Sequence, residues 1–320
     1  MNLLDKNKIA FLFVGQGSQK TGMAKDLYDN FQVCKEVIDK GEDILKMPIK
    51  ELMFNGSEEE IKQTEIAQPA IVLESIAIMK ALQEKGIEAS YTAGLSLGEY
   101  SSLVYSNILS TDDALRVVKE RGKIMGSSLP KGLGKMAAVL KLDNESVKEL
   151  IKKCRAYGIF EGVNYNCPGQ VAIAGENEAI DMAIKEAKEM GGKAVELKVS
   201  GPFHSSLLKD ASEEFYKSLE NVEVNEPSLN VYSNYKGDLY DSNDDVKFIL
   251  KKHIMSPVYF ETILRDMMNR GVDTFIEIGP GKALSGFVKR INRKVKTFNI
   301  EDVETFNKTV DSLKNLGLGE

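Results

Sequence analysis

Gly94-Leu95-Ser96-Leu97-Gly98 constrains the fold of this chain more than any other stretch. It ends a short run, 91–94, that reads as a strand, and it opens a run, 97–108, that reads as a helix. A serine between two glycines at such a junction sits on a sharp corner. Side chains at the glycine positions would crowd the neighbouring strand and helix while the serine backbone is strained. A corner of this kind presents the hydroxyl at the carboxyl end of a sheet strand, which makes Ser96 a candidate nucleophile and predicts an α/β fold.

The rest of the chain reads as the sheet that such a corner needs. Residues 8–14 form a continuous apolar run, as a strand buried on both faces requires, and end in Gly15-Gln16-Gly17-Ser18-Gln19. A phosphate loop is disfavoured there: a dinucleotide fingerprint needs glycine at Lys20, and a P-loop needs Lys-Ser or Lys-Thr where Met23-Ala24 stands. Helical spacing marks 31–45, 68–83 and 111–127. Between 135 and 199 the pattern is β-α-β-β-α-β, the order of a ferredoxin-like unit, flanked by glycine- and proline-bearing hinges at 129–134 and 200–202. Strands then alternate with helices to the end, and one helix is expected to start at Pro257. The predicted fold is α/β: a large α/β-hydrolase-like domain (1–130 and 200–320) with a mostly parallel sheet, and an inserted ferredoxin-like subdomain (131–199). Sites in such sheets lie at strand carboxyl ends, so the loops after Val14, Leu95, Val199, Ser233 and Ile278 are expected to converge.

Composition narrows the class. The chain has 320 residues, 42% of them apolar, enough for a large core, and its net charge of -6 argues against nucleic-acid binding. Cys34, Cys154 and Cys167 are widely spaced, which indicates neither a zinc site nor a disulfide framework and fits a reducing cytoplasm. No apolar run is long enough for a signal peptide or a membrane span.

A serine hydroxyl needs a neighbour to take its proton, and only His204 and His253 are present. His204 follows a strand across Gly201-Pro202 and is the expected base. His253, after Lys251 and Lys252 on an amphipathic helix, reads as a partly exposed surface histidine. No Asp or Glu stands out to orient the base, and a backbone carbonyl could do so instead. Arg121, within Lys119-Glu120-Arg121-Gly122-Lys123, reads by itself as part of a solvated face.

With these residues placed, the chain resembles the malonyl-CoA:acyl carrier protein transacylases and their relatives in polyketide synthases. The likeness runs through Gly15-Gln16-Gly17-Ser18-Gln19, Gly94-Leu95-Ser96-Leu97-Gly98-Glu99, Arg121-Gly122-Lys123, Asn164-Tyr165-Asn166 with Pro168-Gly169-Gln170, Phe203-His204 and Gly279-Pro280-Gly281-Lys282. It implies Ser96 as nucleophile, His204 as base, the amides of Gln16 and Leu97 as the oxyanion hole, Arg121 as holder of the malonyl carboxylate and Phe203 as a bulky selector at C2. Leu95 stands where the family often has histidine. His253 stands where it usually has a glutamine whose main-chain carbonyl orients the base.

The resemblance implies ping-pong transfer of malonyl from malonyl-CoA to the carrier protein's phosphopantetheine thiol, supplying fatty acid synthesis, with no cofactor or metal and no nucleic-acid or membrane partner, in a cytoplasmic monomer. A serine hydrolase or thioesterase, an acyltransferase serving a polyketide synthase, and a non-catalytic binding module are the competing readings. The basic run Lys282, Lys289, Arg290, Arg293, Lys294 and Lys296 could dock an acidic carrier protein, with Lys289 and Arg290 at its centre, or be an ordinary solvated face.

Overall fold

The computed structural model describes residues 8–127 and 132–318. In chain order its strands are β1 (Lys8–Phe13), β2 (Tyr91–Gly94), β3 (Gly134–Leu140), β4 (Phe160–Cys167), β5 (Gln170–Glu176), β6 (Lys193–Glu196), β7 (Asn230–Ser233), β8 (Asp238–Leu239), β9 (Val272–Ile278) and β10 (Lys296–Ile300). The helices before the small sheet are α1 (Lys25–Asn30), α2 (Gln32–Leu45), α3 (Ile49–Asn55), α4 (Glu58–Ile61), α5 (Thr64–Glu84), α6 (Gly98–Tyr105) and α7 (Thr111–Ser127). Those that follow are α8 (Asn144–Cys154), α9 (Asn177–Glu189), α10 (Lys209–Ser218), α11 (Val246–Met255), α12 (Phe260–Asn269), α13 (Ala283–Ile291) and α14 (Val303–Asn315).

Among the described residues two sheets form. The larger runs β10-β9-β1-β2-β7-β8 and is parallel except for the β7–β8 pair. Its centre is β1, whose residues from Ile9 to Phe13 are buried, because a parallel strand covered by helices on both faces has no solvated side. The smaller sheet runs β4-β5-β3-β6, antiparallel throughout, with α8 and α9 packed on it. Each sheet has its own apolar core, and Met136, Val163, Cys167, Ala172 and Ala174 of the smaller sheet belong to the core of the larger. The face of the small sheet opposite its helices therefore closes over the large one.

Two details place the site. α5 is buried on nearly every side, and α7 packs along it. Gly122 makes that contact close, since a Cβ there would stand 2.7 Å from the Thr64 carbonyl oxygen. α12 begins at Phe260 rather than at Pro257: Val258 N–H donates to Val163 O at 2.8 Å and Tyr165 N–H to Val258 O at 2.9 Å, so this segment is held extended against β4. The short helices α1, α3 and α4 occupy stretches with too few turns to show a periodicity. The hinge expected at 129–134 and the domain boundary at 130 and 131 fall partly outside the described residues.

Candidate active site

Ser96 occupies the corner between β2 and α6 with φ 51°, left-handed backbone that costs a non-glycine residue about 1–2 kcal/mol. The surroundings enforce it. A Cβ on Gly94 would collide with the main chain of Gly98, and one on Gly98 with the carbonyls of Phe13 and Val14. Asn234, just past β7, clamps the corner from behind: its Oδ1 accepts the Ser96 N–H at 2.7 Å, and its Nδ2 donates to Gly94 O at 2.7 Å.

The serine Oγ stands 2.6 Å from His204 Nε2, and His204 Nδ1 stands 2.8 Å from the main-chain oxygen of His253. A carbonyl can only accept, so Nδ1 carries the proton, Nε2 is bare, and the Ser96 hydroxyl donates to it. His204 also has left-handed backbone (φ 62°), and its N–H donates to Ile254 O at 3.1 Å, which ties its loop to α11. Burial, followed by the positive charge of Arg121, pushes the His204 imidazole down to about 3. It is therefore neutral at pH 7 and able to take a proton.

Arg121 is 1% exposed. Its hydrogen-bond partners are neutral: Nη1 donates to Gln68 Oε1 at 2.8 Å, Nη2 to Ser96 Oγ at 3.4 Å, and Nε has no acceptor among the described residues. The face of Tyr100 lies 5.5 Å from the guanidinium carbon. A buried cation without a carboxylate partner is costly, and a ligand anion beside it relieves that cost. Gln68, fully buried, also donates to Gln16 Oε1 at 3.1 Å, so one amide joins the arginine to the loop after β1.

These groups line a cavity of about 170 Å³ between the two sheets. Gln16, Leu95 and Ser96 face it from loops of the large sheet, Arg121 from α7, Phe203 and His204 from the segment between β6 and α10, and Met136, Asn164, Asn166 and Ala172 from the small sheet. Leu97 is fully buried and is not part of the lining. Of the five loops expected to converge, those after Val14, Leu95 and Val199 reach the cavity. The loop after Ser233 arrives behind Ser96 through Asn234, and the loop after Ile278 lines a neighbouring groove with Gln16 and Leu95. Lys289 and Arg290 lie on α13, outside the cavity. Among the described residues no group of three His, Cys, Asp or Glu is placed to hold a metal ion.

Two readings of the sequence are corrected here. Arg121 is buried, not solvated: it lies on the stripe Ala114, Val117-Val118, Arg121-Gly122, Met125 that α7 turns inward. His253 is fully buried, not partly exposed, on the α11 stripe Val246, Ile249-Leu250, His253-Ile254. In both helices, flanking lysines masked a spacing that places the residue on the apolar face. Sequence reasoning passed over Gln68 and Asn234. Gln68 is a polar residue opening an apolar helical run, and Asn234 directly follows a strand, so each left a trace.

The family model described as acyl transferase domain matches residues 10–307. A malonyl CoA-acyl carrier protein transacylase of Bacillus subtilis is 42% identical over 310 residues, covering 96% of this chain and 98% of its own. The crystal structure of a malonyl CoA-acyl carrier protein transacylase from Clostridium perfringens superposes with a TM-score of 0.95 at 44% identity, over 97% of this chain and 98% of that one. A malonyl-transacylase solved in complex with its type II PKS acyl-carrier protein gives a TM-score of 0.92 at 35% identity, over 96% and 100%. Since the family match takes in both sheets and every residue around the cavity, the chain belongs to the acyl transferase domain family.

Proposed function

We propose that this protein transfers the malonyl group of malonyl-CoA to the phosphopantetheine thiol of an acyl carrier protein, through a malonyl ester on Ser96, in support of fatty acid synthesis. The observation that carries the reading is the buried Arg121, with no carboxylate in direct contact among the described residues, at 3.4 Å from Ser96 Oγ, a place for the free carboxylate of a dicarboxylic acyl group. A guanidinium grips a carboxylate with two parallel N–H donors.

His204 Nε2 takes the hydroxyl proton as Ser96 Oγ attacks the thioester carbon, and the main-chain N–H groups of Gln16 and Leu97 hold the oxyanion. The C–S bond then breaks, and the imidazolium returns its proton to the departing thiolate of coenzyme A. The carrier thiol repeats these steps in reverse on malonyl-Ser96. Each amide donor contributes about 3 kcal/mol in the transition state. Proton, oxyanion and carboxylate are all served by the chain's own groups, so the reaction as written needs no cofactor beyond the thioester substrate. Phe203, 6% exposed in the cavity wall, crowds a substituent on C2. One chain supplies every residue invoked, which suits a monomer.

A cytoplasmic location fits three free, buried cysteines and the lack of a described helix long and apolar enough to cross a membrane. The fold reading behind this mechanism is a large α/β-hydrolase-like domain (1–130 and 200–320) that carries the nucleophile corner, with residues 131–199 as an inserted ferredoxin-like subdomain closing the cavity.

A transfer assay comparing malonyl-, methylmalonyl- and acetyl-CoA as donors tests the reading. Malonyl is expected to be the preferred donor, with transfer to carrier protein exceeding hydrolysis. Hydrolysis in excess of transfer would instead mark a thioesterase.

Docking of the acidic carrier belongs on α13. Lys289 Nζ is already engaged by the carbonyls of Val295 at 2.5 Å and Arg293 at 3.4 Å, which leaves Arg290 as the more exposed charge. Arg290→Glu is expected to raise KM for carrier protein about fivefold at low salt, less at high salt, and to leave KM for malonyl-CoA unchanged. An unchanged carrier KM would remove α13 from the docking surface.

A further inference from the structure

Glu99, in the first turn of α6, is absent from the mechanism above although it is fully buried directly behind the reacting pair. Its Oε2 accepts the Asn234 N–H at 2.9 Å and its Oε1 the Tyr240 hydroxyl at 2.5 Å. Oε2 also lies 3.5 Å from His253 Nδ1, on a ring whose two nitrogens have no other partner among the described residues. Both contacts lead onward. Asn234 holds the Ser96 N–H and the Gly94 carbonyl. The His253 carbonyl accepts from His204 Nδ1, and the two imidazole rings stand 5.2 Å apart. The carboxylate touches neither reacting atom, yet it is one residue from each.

We propose that Glu99 is a positioning residue for both halves of the reacting pair, fixing Ser96 through Asn234 and biasing His204, through His253, toward accepting a proton. The inference rests on the acyl-serine reading above and names a carboxylate that the Ser-His pair otherwise lacks. Its logic is electrostatic. An imidazolium forms at His204 in the transition state beside the positive Arg121, and a negative charge one residue away offsets that repulsion. The groups facing Glu99 are Tyr240 beyond β8, the Asn234 amide beyond β7, His253 on α11 and, through its charge, Arg121 on α7. Burial raises the Glu99 carboxyl to about 7, opposed by the Tyr240 and Asn234 hydrogen bonds and by Arg121. Burial holds the His253 ring neutral, well below its ordinary range, so it transmits orientation and dipole and carries no charge. A group titrating near neutrality gives the role a signature that packing alone would not.

The test is the single-turnover rate of Ser96 malonylation by malonyl-CoA, from about pH 6 to about pH 8.5, for the unmodified protein, Glu99→Gln and Tyr240→Phe. Glu99→Gln is expected to acylate about 100-fold more slowly at about pH 8, with malonyl-CoA affinity changed less than about threefold. The rate ratio of unmodified protein to variant should grow about tenfold from the acid to the alkaline end, because only the unmodified protein gains a negative charge as pH rises. A ratio that stays constant with pH, or an undiminished rate, overturns the proposal, since a purely structural carboxyl would cost the same at every pH. Tyr240→Phe covers the case in which Glu99→Gln does not fold. It removes a hydrogen bond to the ionised form, so the rising limb should move to higher pH. A limb left in place also overturns the proposal. Unmodified protein that forms no malonyl-Ser96 would sink the acyl-serine reading itself, which is a separate outcome.

Discussion

Ser96→Ala is expected to form no malonyl-enzyme and to lose transfer to carrier protein by about 10⁵-fold or more. The Ser96 hydroxyl is the one nucleophile within 2.6 Å of the bare His204 Nε2, and the corner that strains it serves no packing need that alanine would fail to meet. The left-handed backbone at position 96 is imposed by Gly94, Gly98 and Asn234, so the variant should fold normally. His204→Ala should cost nearly as much. The double variant should cost little more than either single change, because the two side chains act as one unit. Intact mass after incubation with malonyl-CoA reads the ester directly. A malonyl adduct that persists in Ser96→Ala would place the nucleophile elsewhere, and additive losses in the double variant would mean that the pair does not act together.

The corner itself was legible because its cause is local. Two glycines, a serine and the change from strand to helix are all written within residues 91–98, and the structure returns β2 and the start of α6 there. The parallel sheet was legible for a related reason: β1 is buried on both faces, so its sequence runs apolar without interruption from Ile9 to Phe13. Arg121 and His253 were misread because charge was allowed to outweigh spacing. A lysine beside a buried position says nothing about the next residue round the helix, whereas the i, i+3, i+4 pattern does. Asn234 and Glu99 illustrate a deeper limit. Each acts through a contact spanning more than 130 positions of sequence, and no local pattern announces which distant amide a carboxylate will accept. The backbone carbonyl that orients His204 is silent in side-chain chemistry, since any residue at 253 supplies one, and only the family resemblance pointed to that position.

Arg121→Ala is expected to lower malonyl transfer by about 10²- to 10³-fold while acetyl transfer is kept or rises, which inverts the donor preference. The loss follows from leaving the malonyl carboxylate unpaired in a buried site, a penalty of about 3–5 kcal/mol. Arg121→Lys should recover only part of it, because an ammonium offers a point charge where Gln68 and Tyr100 hold a planar fork in place. The gain with acetyl has a separate origin. Arg121 is, after burial, the next cause holding the His204 imidazole down, so an unneutralised guanidinium makes the base weaker. On the proposed reading malonyl-CoA would cancel that charge with its own carboxylate and restore the base as it binds, whereas acetyl-CoA would bring no such charge and meet a weakened histidine. Removing the guanidinium lifts the handicap for acetyl and removes the grip for malonyl. Selectivity in this site would then be exercised partly on the base, in addition to binding. Side-by-side kcat/KM values for the two donors decide it. Equal losses for both would confine Arg121 to holding the fold, and a malonyl loss without any acetyl change would limit it to gripping the carboxylate.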